Sequence, residues 1–234
     1  MLYYYINLIK LYVTYNFIKF KLIINLNNSL TNLILKIRQK LFSIIYPIID
    51  NISANQNESL RHYISNNASG NILEIGAGNG SNLIFYNKYD NLVLIDNNFD
   101  LIKQIDKSPS YNLILADMKY LPFKKKSFDS IVSSLVLCSA GNVNTIFNEI
   151  DMVLKSKGKY YFWEHTVFSN KLIIALKSFF IYIWQFFTNG CDYNIDNISN
   201  LESIKWGHIK IHKKYSRLIK FLGIYYIYGV ITKK

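Results

Sequence analysis

The run Glu74-Ile75-Gly76-Ala77-Gly78-Asn79-Gly80 constrains this chain more than any other part of it. It follows the apolar residues Ile72 and Leu73 and places three glycines at alternate positions. A strand must therefore end in a sharp turn, because glycine takes positive φ at no steric cost and lets backbone approach a ligand closely. Such a turn needs a sheet behind it. Short apolar runs at 71–75, 91–95, 112–115, 130–135 and 159–163 read as strands buried on both faces. Longer amphipathic stretches such as 144–154 fit between them as helices, and a helix is expected to begin near Ser81. Strands alternating with helices predict an α/β fold with a parallel, doubly wound sheet. The 234 residues, half of them hydrophobic and only 18% charged, suffice for one domain with an appendage and exclude the composition of a disordered chain.

Glycine-rich turns after strands occur in several nucleotide-binding proteins, and the neighbouring residues narrow the choice. Ser81 stands where the dinucleotide fingerprint has its third glycine, which favours S-adenosyl-L-methionine over a nicotinamide dinucleotide. The second strand ends in Asp96, followed by Asn97, and a carboxylate at such a strand end accepts hydrogen bonds from a ribose diol. The third strand runs into Ala116-Asp117-Met118, where a carboxylate can meet the adenine amino group and a Met can pack on its ring. The expected cofactor-binding residues are thus Glu74, Gly76, Ala77, Gly78, Asn79, Gly80, Asp96, Asn97, Asp117 and Met118.

These residues, with Leu121-Pro122-Phe123 and the Ser127-Phe128-Asp129 that follows three lysines, resemble the class I methyltransferases, in particular their methyltransferase-11 branch. That resemblance implies a Rossmann-like, mostly parallel seven-stranded sheet with helices on both faces. A narrower likeness rests on Leu135-Val136-Leu137-Cys138-Ser139, Tyr161-Phe162-Trp163-Glu164-His165, Trp184, Asn189-Gly190-Cys191 and Ile227-Tyr228-Gly229-Val230. These are similar to the methyltransferase-like seven proteins, membrane-associated enzymes that methylate alkyl thiols. The resemblance implies a thiol acceptor. A lipid or quinone precursor is the alternative, and a non-catalytic adenosylmethionine-binding scaffold is the alternative of another class. Where that family commonly has Asp before Gly-Cys, this chain has Asn189.

Residues 1–46 are apolar and aromatic but interrupted by Lys10, Lys19, Lys21, Lys36, Arg38 and Lys40, so no uncharged run reaches the roughly 18 residues of a spanning helix. The segment suits a helix lying in a bilayer interface, with a helix packed on the domain or on a partner chain as the alternative. Pro47 and the polar stretch 51–59 are expected to mark a boundary, giving a membrane-associating segment at 1–50 and the methyltransferase domain at 51–234. Within the latter, the aromatic stretch around 165–200 is expected to cover the acceptor. The expected location is a membrane surface, with the domain facing the cytoplasm; in a eukaryote this would be endoplasmic reticulum or lipid droplet.

A methyl sulfonium is already electrophilic, so alignment of the acceptor is the main task and no metal is expected. His165, just past the fifth strand, is the expected proton acceptor or acceptor-orienting group, since imidazole titrates near neutrality. Glu164 beside it points to the opposite face of a strand. Cys138 and Cys191 lie more than fifty positions apart without a CxxC pattern or visible base, and are expected to serve packing. The net charge of +12 is dispersed, and no nucleic-acid-binding module is recognisable. The expected partners are a small hydrophobic acceptor and a membrane surface.

Overall fold

The computed structural model describes residues 28–167, 181–215 and 224–234. Helix α1 (Asn28–Asn66) leads into β1 (Asn71–Ile75), a 3-10 turn (Leu83–Phe85), β2 (Asn91–Asp96), α2 (Phe99–Ile102), β3 (Asn112–Leu115) and β4 (Phe128–Ser134). A second 3-10 turn (Leu137–Ser139) precedes α3 (Val143–Val153), β5 (Leu154–Val167), α4 (Ile181–Phe187), α5 (Asn197–Glu202), β6 (Gly207–Lys214) and β7 (Ile224–Lys233). The seven strands form one sheet in the order β3-β2-β1-β4-β5-β7-β6, and β7 runs antiparallel to both of its neighbours. The five expected strands are present, with ends shifted by a few residues and β5 longer than expected.

Alternation along the parallel strands sends neighbouring side chains to opposite faces, and each face has its own core. Leu73, Ile75, Val93, Ile95, Ile131 and Phe162 pack beneath α3 with Phe147 and Ile150. Ile72, Leu92, Leu94, Val132 and Trp163 pack on the other side with Leu60 and Ile64 of α1. Burying each such aliphatic side chain is worth about 1.5–3 kcal/mol, which is why apolar runs of this length cannot stay exposed.

Two expectations about local structure are corrected. No α-helix starts near Ser81; the glycine turn is followed only by the short 3-10 turn, and Asn82 Oδ1, the atom that would cap a helix, accepts from Arg61 instead. Pro47 and residues 51–59 do not interrupt the chain either, but lie inside α1. A proline there removes the N–H that would bond the carbonyl of Ser43. That carbonyl is satisfied from outside the helix by the Gln104 side-chain amide at 3.0 Å, which also ties α1 to the segment after α2. Residues 1–27 of the expected membrane segment, and 168–180 of the expected acceptor cover, lie outside the described residues.

Candidate active site

A cavity of about 270 Å³ opens at the carboxyl ends of β1, β2 and β4. The backbone makes its floor. Gly76 and Gly78 have φ of 69° and 59°, and the N–H groups of Gly76 and Ala77 both donate to the carbonyl of Ile95, at 2.8 and 3.0 Å. The turn tolerates nothing larger: a Cβ at Gly76 would stand 2.4 Å from Val136 Cγ2, and one at Gly78 would stand 3.2 Å from the Tyr46 ring. Asp96 receives the Gly78 N–H on Oδ2 at 2.9 Å and the Asn98 N–H on Oδ1 at 2.7 Å, and still faces the cavity. Burial lifts its carboxyl above the usual range, with those two N–H groups opposing. A carboxylate has about four lone-pair positions, so acceptor capacity remains for a ligand hydroxyl.

Of the residues expected to bind cofactor, Gly76, Gly78, Asp96, Asn97 and Met118 line the cavity, joined by Ile95, Leu101 and Ala116. Glu74, Ala77, Asn79, Gly80 and Asp117 are not on its wall. Glu74 is sealed below the loop, 1% exposed, and accepts from Asn82 Nδ2 and Tyr86 Oη, each at 2.8 Å. Burial raises its carboxyl to about 7. Glu74 thus supports the turn from beneath. Asp117 accepts the Lys119 N–H at 2.9 Å and shapes the loop that presents Met118.

The sequence reading missed one wall entirely. Arg38, Gln39, Phe42 and Tyr46 of α1 line the cavity, a role in the site that neither a membrane contact nor simple packing on the domain anticipates. Their spacing of four residues between Arg38, Phe42 and Tyr46 puts them on one helix face, which is the signal that was available. The helix is latched to the glycine turn. Arg61, 5% exposed, pairs with Asp50, donates to Asn82 Oδ1 at 2.6 Å and lies 5.3 Å from the centre of the Trp163 ring. The Ser81 hydroxyl donates to the other Asp50 oxygen at 2.5 Å.

The opposite wall comes from Ser134, Leu135, Val136, Ser139 and Asn189. Leu135 and Asn189 have φ of 56° and 52°, left-handed backbone that a bulky residue such as Leu adopts only when its surroundings enforce it. Glu164 provides the enforcement. Its side chain, fully buried, accepts the Val136 N–H at 3.0 Å and the Leu137 N–H at 3.2 Å, and burial raises its carboxyl to about 7.

His165 does not line the cavity; it is 8% exposed and sits behind this wall, with Nε2 3.2 Å from Cys191 Sγ. Cys138 is also within reach, since ligand atoms of Cys138, His165 and Cys191 all lie within 4.8 Å of one another. The expectation that the two cysteines are mere packing without a neighbouring base is therefore corrected: separation along the chain said nothing about separation in space. Trp184 and Phe187 of the expected aromatic cover are exposed and do not line the cavity.

Comparison with known proteins agrees with this geometry. Residues 73–162 match the family model described as a methyltransferase domain. Thiol S-methyltransferase TMT1A of Homo sapiens is 28% identical over 184 residues, 69% of this chain and 70% of that protein. Thiol S-methyltransferase TMT1B of Mus musculus is 32% identical over 107 residues, 42% of this chain and 44% of that protein. Among solved structures, geranyl diphosphate C-methyltransferase from Streptomyces coelicolor shares the fold with a TM-score of 0.57 at 11% identity, over 79% of this chain and 81% of that one. The walls suit the nucleoside sulfonium that such enzymes use: a glycine floor that a Cβ would block, a carboxylate with spare lone pairs and an apolar flank at Ile95, Leu101 and Met118. The pocket lies where open parallel sheets hold their ligands, and the chain carries a methyltransferase domain, acts as an S-adenosyl-L-methionine-dependent methyltransferase and resembles the thiol S-methyltransferases.

Proposed function

We propose that this enzyme S-methylates a small hydrophobic thiol at a membrane surface. When bound, adenosylmethionine supplies an electrophilic methyl group. The chain has then to hold the donor, align the acceptor and favour its ionised form. The single observation that carries the thiol reading is the set of titratable side chains on the cavity wall. Among the described residues these are Arg38, Tyr46, Asp96 and Lys119. Burial, with Asp50 nearby, pushes the Tyr46 hydroxyl up to about 12, so it stays protonated near neutrality. Asp96 is held at the donor end by two backbone N–H groups. Two basic side chains, and no carboxylate beyond Asp96 at the donor end, suit an acceptor that ionises with little help. A thiol, with a pKa of about 8.5, does so, and neighbouring cations favour its anion. The names of the relatives above support the same choice.

The membrane reading rests on α1. Leu30, Leu33, Ile37, Ile44, Ile48 and Ile52 are each more than 40% exposed, and helical spacing places them roughly opposite the cavity face of the same helix. Lys36 and Lys40 lie on the same helix, where their side chains suit headgroups. No helix among the described residues is long and apolar enough to cross a membrane, so the contact proposed is interfacial.

Incubation of full-length protein with methyl-labelled adenosylmethionine and a matched panel of thiols, phenols, amines and lipid hydroxyls tests the acceptor. Labelled thioether should dominate; label confined to oxygen or nitrogen products refutes the thiol assignment. For the membrane, the triple variant Ile44→Ser, Ile48→Ser, Ile52→Ser should float with liposomes much less than wild type, and equal flotation refutes the contact through α1.

A further inference from the structure

Behind the acceptor wall, three side chains from separate elements converge on one point. Cys138 comes from the 3-10 turn after β4, His165 from the end of β5 and Cys191 from the loop after α4. Their ligand atoms lie within 4.8 Å of one another, with His165 Nε2 3.2 Å from Cys191 Sγ. Cys138 and His165 are 5% and 8% exposed. The convergence is held by the backbone: the Asp192 N–H donates to the Cys138 carbonyl at 2.9 Å, and Asn197 Nδ2 donates to the His165 carbonyl at 2.8 Å. His165 Nδ1 is buried without a hydrogen-bond partner, so Nε2 makes the ring's polar contact.

We propose that Cys138, His165 and Cys191 bind a single zinc ion and leave its fourth position open. In a tetrahedral zinc site with Zn–S near 2.3 Å and Zn–N near 2.0–2.1 Å, ligand atoms stand roughly 3.4–3.8 Å apart. The observed separations, 3.2 Å between His165 Nε2 and Cys191 Sγ and no more than 4.8 Å for any pair, bracket that spacing. Two thiolates and a neutral imidazole carry two negative charges, so the loaded centre is neutral, which its burial favours. Four protein ligands close a structural zinc site, whereas three leave a position for chemistry. Among the described residues no fourth His, Cys or carboxylate joins this group.

Location gives the ion its role. Val136 and Ser139 flank Cys138, and Asn189 lies two residues before Cys191; all three line the donor cavity.

The role assigned to the ion rests on the thiol reading above. A zinc ion held there would take an acceptor R–SH at its fourth position as the thiolate, the proton passing to water. That sulfur would form the new S–CH3 bond as the methyl's bond to the donor sulfonium breaks, the electron pair staying on the donor sulfur, and the uncharged thioether, a weak zinc ligand, would leave.

Full-length protein, purified and reduced, is assayed for zinc by mass spectrometry and then titrated with zinc against a chromogenic chelator. About one zinc per chain is expected. Cobalt(II) taken up by the same wild-type protein should show thiolate-to-metal charge-transfer absorption and tetrahedral ligand-field bands. Cys138→Ser, His165→Ala and Cys191→Ser should each weaken zinc affinity by about 100-fold or more, while adenosylmethionine affinity by calorimetry changes less than about threefold, as none of the three lines the donor cavity. Reduced wild-type protein that takes up neither ion overturns the proposal, whatever the acceptor panel shows. Zinc bound by wild type with no thioether formed upholds the site and removes the thiol reading instead.

Discussion

At the donor end of the cavity, one contiguous turn and a strand-end carboxylate make most of the wall, through backbone atoms of Gly76 and Gly78 and the side chain of Asp96. At the proposed acceptor end, Leu135, Val136 and Ser139 meet Asn189 from fifty or more positions away, and Glu164 of a third element holds the loop from behind. Both ends contain left-handed backbone, but the donor end uses glycine for it and the acceptor end uses Leu and Asn. The donor end is therefore relaxed and locally encoded, whereas the acceptor end is held by buried contacts that must form together. A turn made of glycine can be conserved in shape by its own residues; a wall made of distant side chains can exchange its acceptor without disturbing the donor.

The largest expected effect separates the two ends directly. Gly76→Val places a Cβ at 2.4 Å from Val136 and forces a branched residue to φ of 69°, so adenosylmethionine binding by calorimetry should fall by more than about 100-fold. Retained affinity would mean that the turn is not the donor floor.

A second test addresses the acceptor end through pH. Glu164 has a folded-state pKa of about 7, above the usual 4.5 of an exposed Glu, so the folded protein binds its proton more tightly than the unfolded chain does. Its contribution to stability is full below about 4.5 and is lost as pH rises through about 7, a change on the order of 3 kcal/mol. Denaturant unfolding should show stability falling between these values, and Glu164→Gln should flatten that fall. Some slope will remain in the variant, because Glu74 is also raised to about 7. Identical slopes in wild type and variant would show that Glu164 is not a buried carboxyl.

The smallest expected effect returns to the donor. Asp96→Asn keeps the size of the side chain but removes the charge that strengthens hydrogen bonds to Gly78 and to a ligand hydroxyl, which should weaken adenosylmethionine by about 10- to 100-fold. The apparent KM for the acceptor, measured at saturating donor, should stay within about twofold. A larger change for the acceptor than for the donor would erase the distinction between the ends.

What could be read in advance follows the same division. The strands were legible because burial on both faces demands unbroken apolar runs, and the glycine turn because its φ values admit few other residues. Pro47 misled because its cost in a helix is local to the sequence, whereas the Gln104 amide that removes the cost is not. The partners of Glu74 were hidden for a similar reason: a strand-end carboxylate looks the same whether a ligand or Asn82 and Tyr86 occupy it.

The amino-acid order by itself determined the parallel sheet, the donor turn and the class of cofactor, since these depend on periodicity and on backbone freedom within a few neighbouring residues. Only the tertiary structure decided that α1 walls the cavity, that Glu164 clamps the acceptor loop and that Cys138, His165 and Cys191 meet. Each of those depends on packing that brings distant side chains to one place, and a spacing along the chain carries no record of such a meeting.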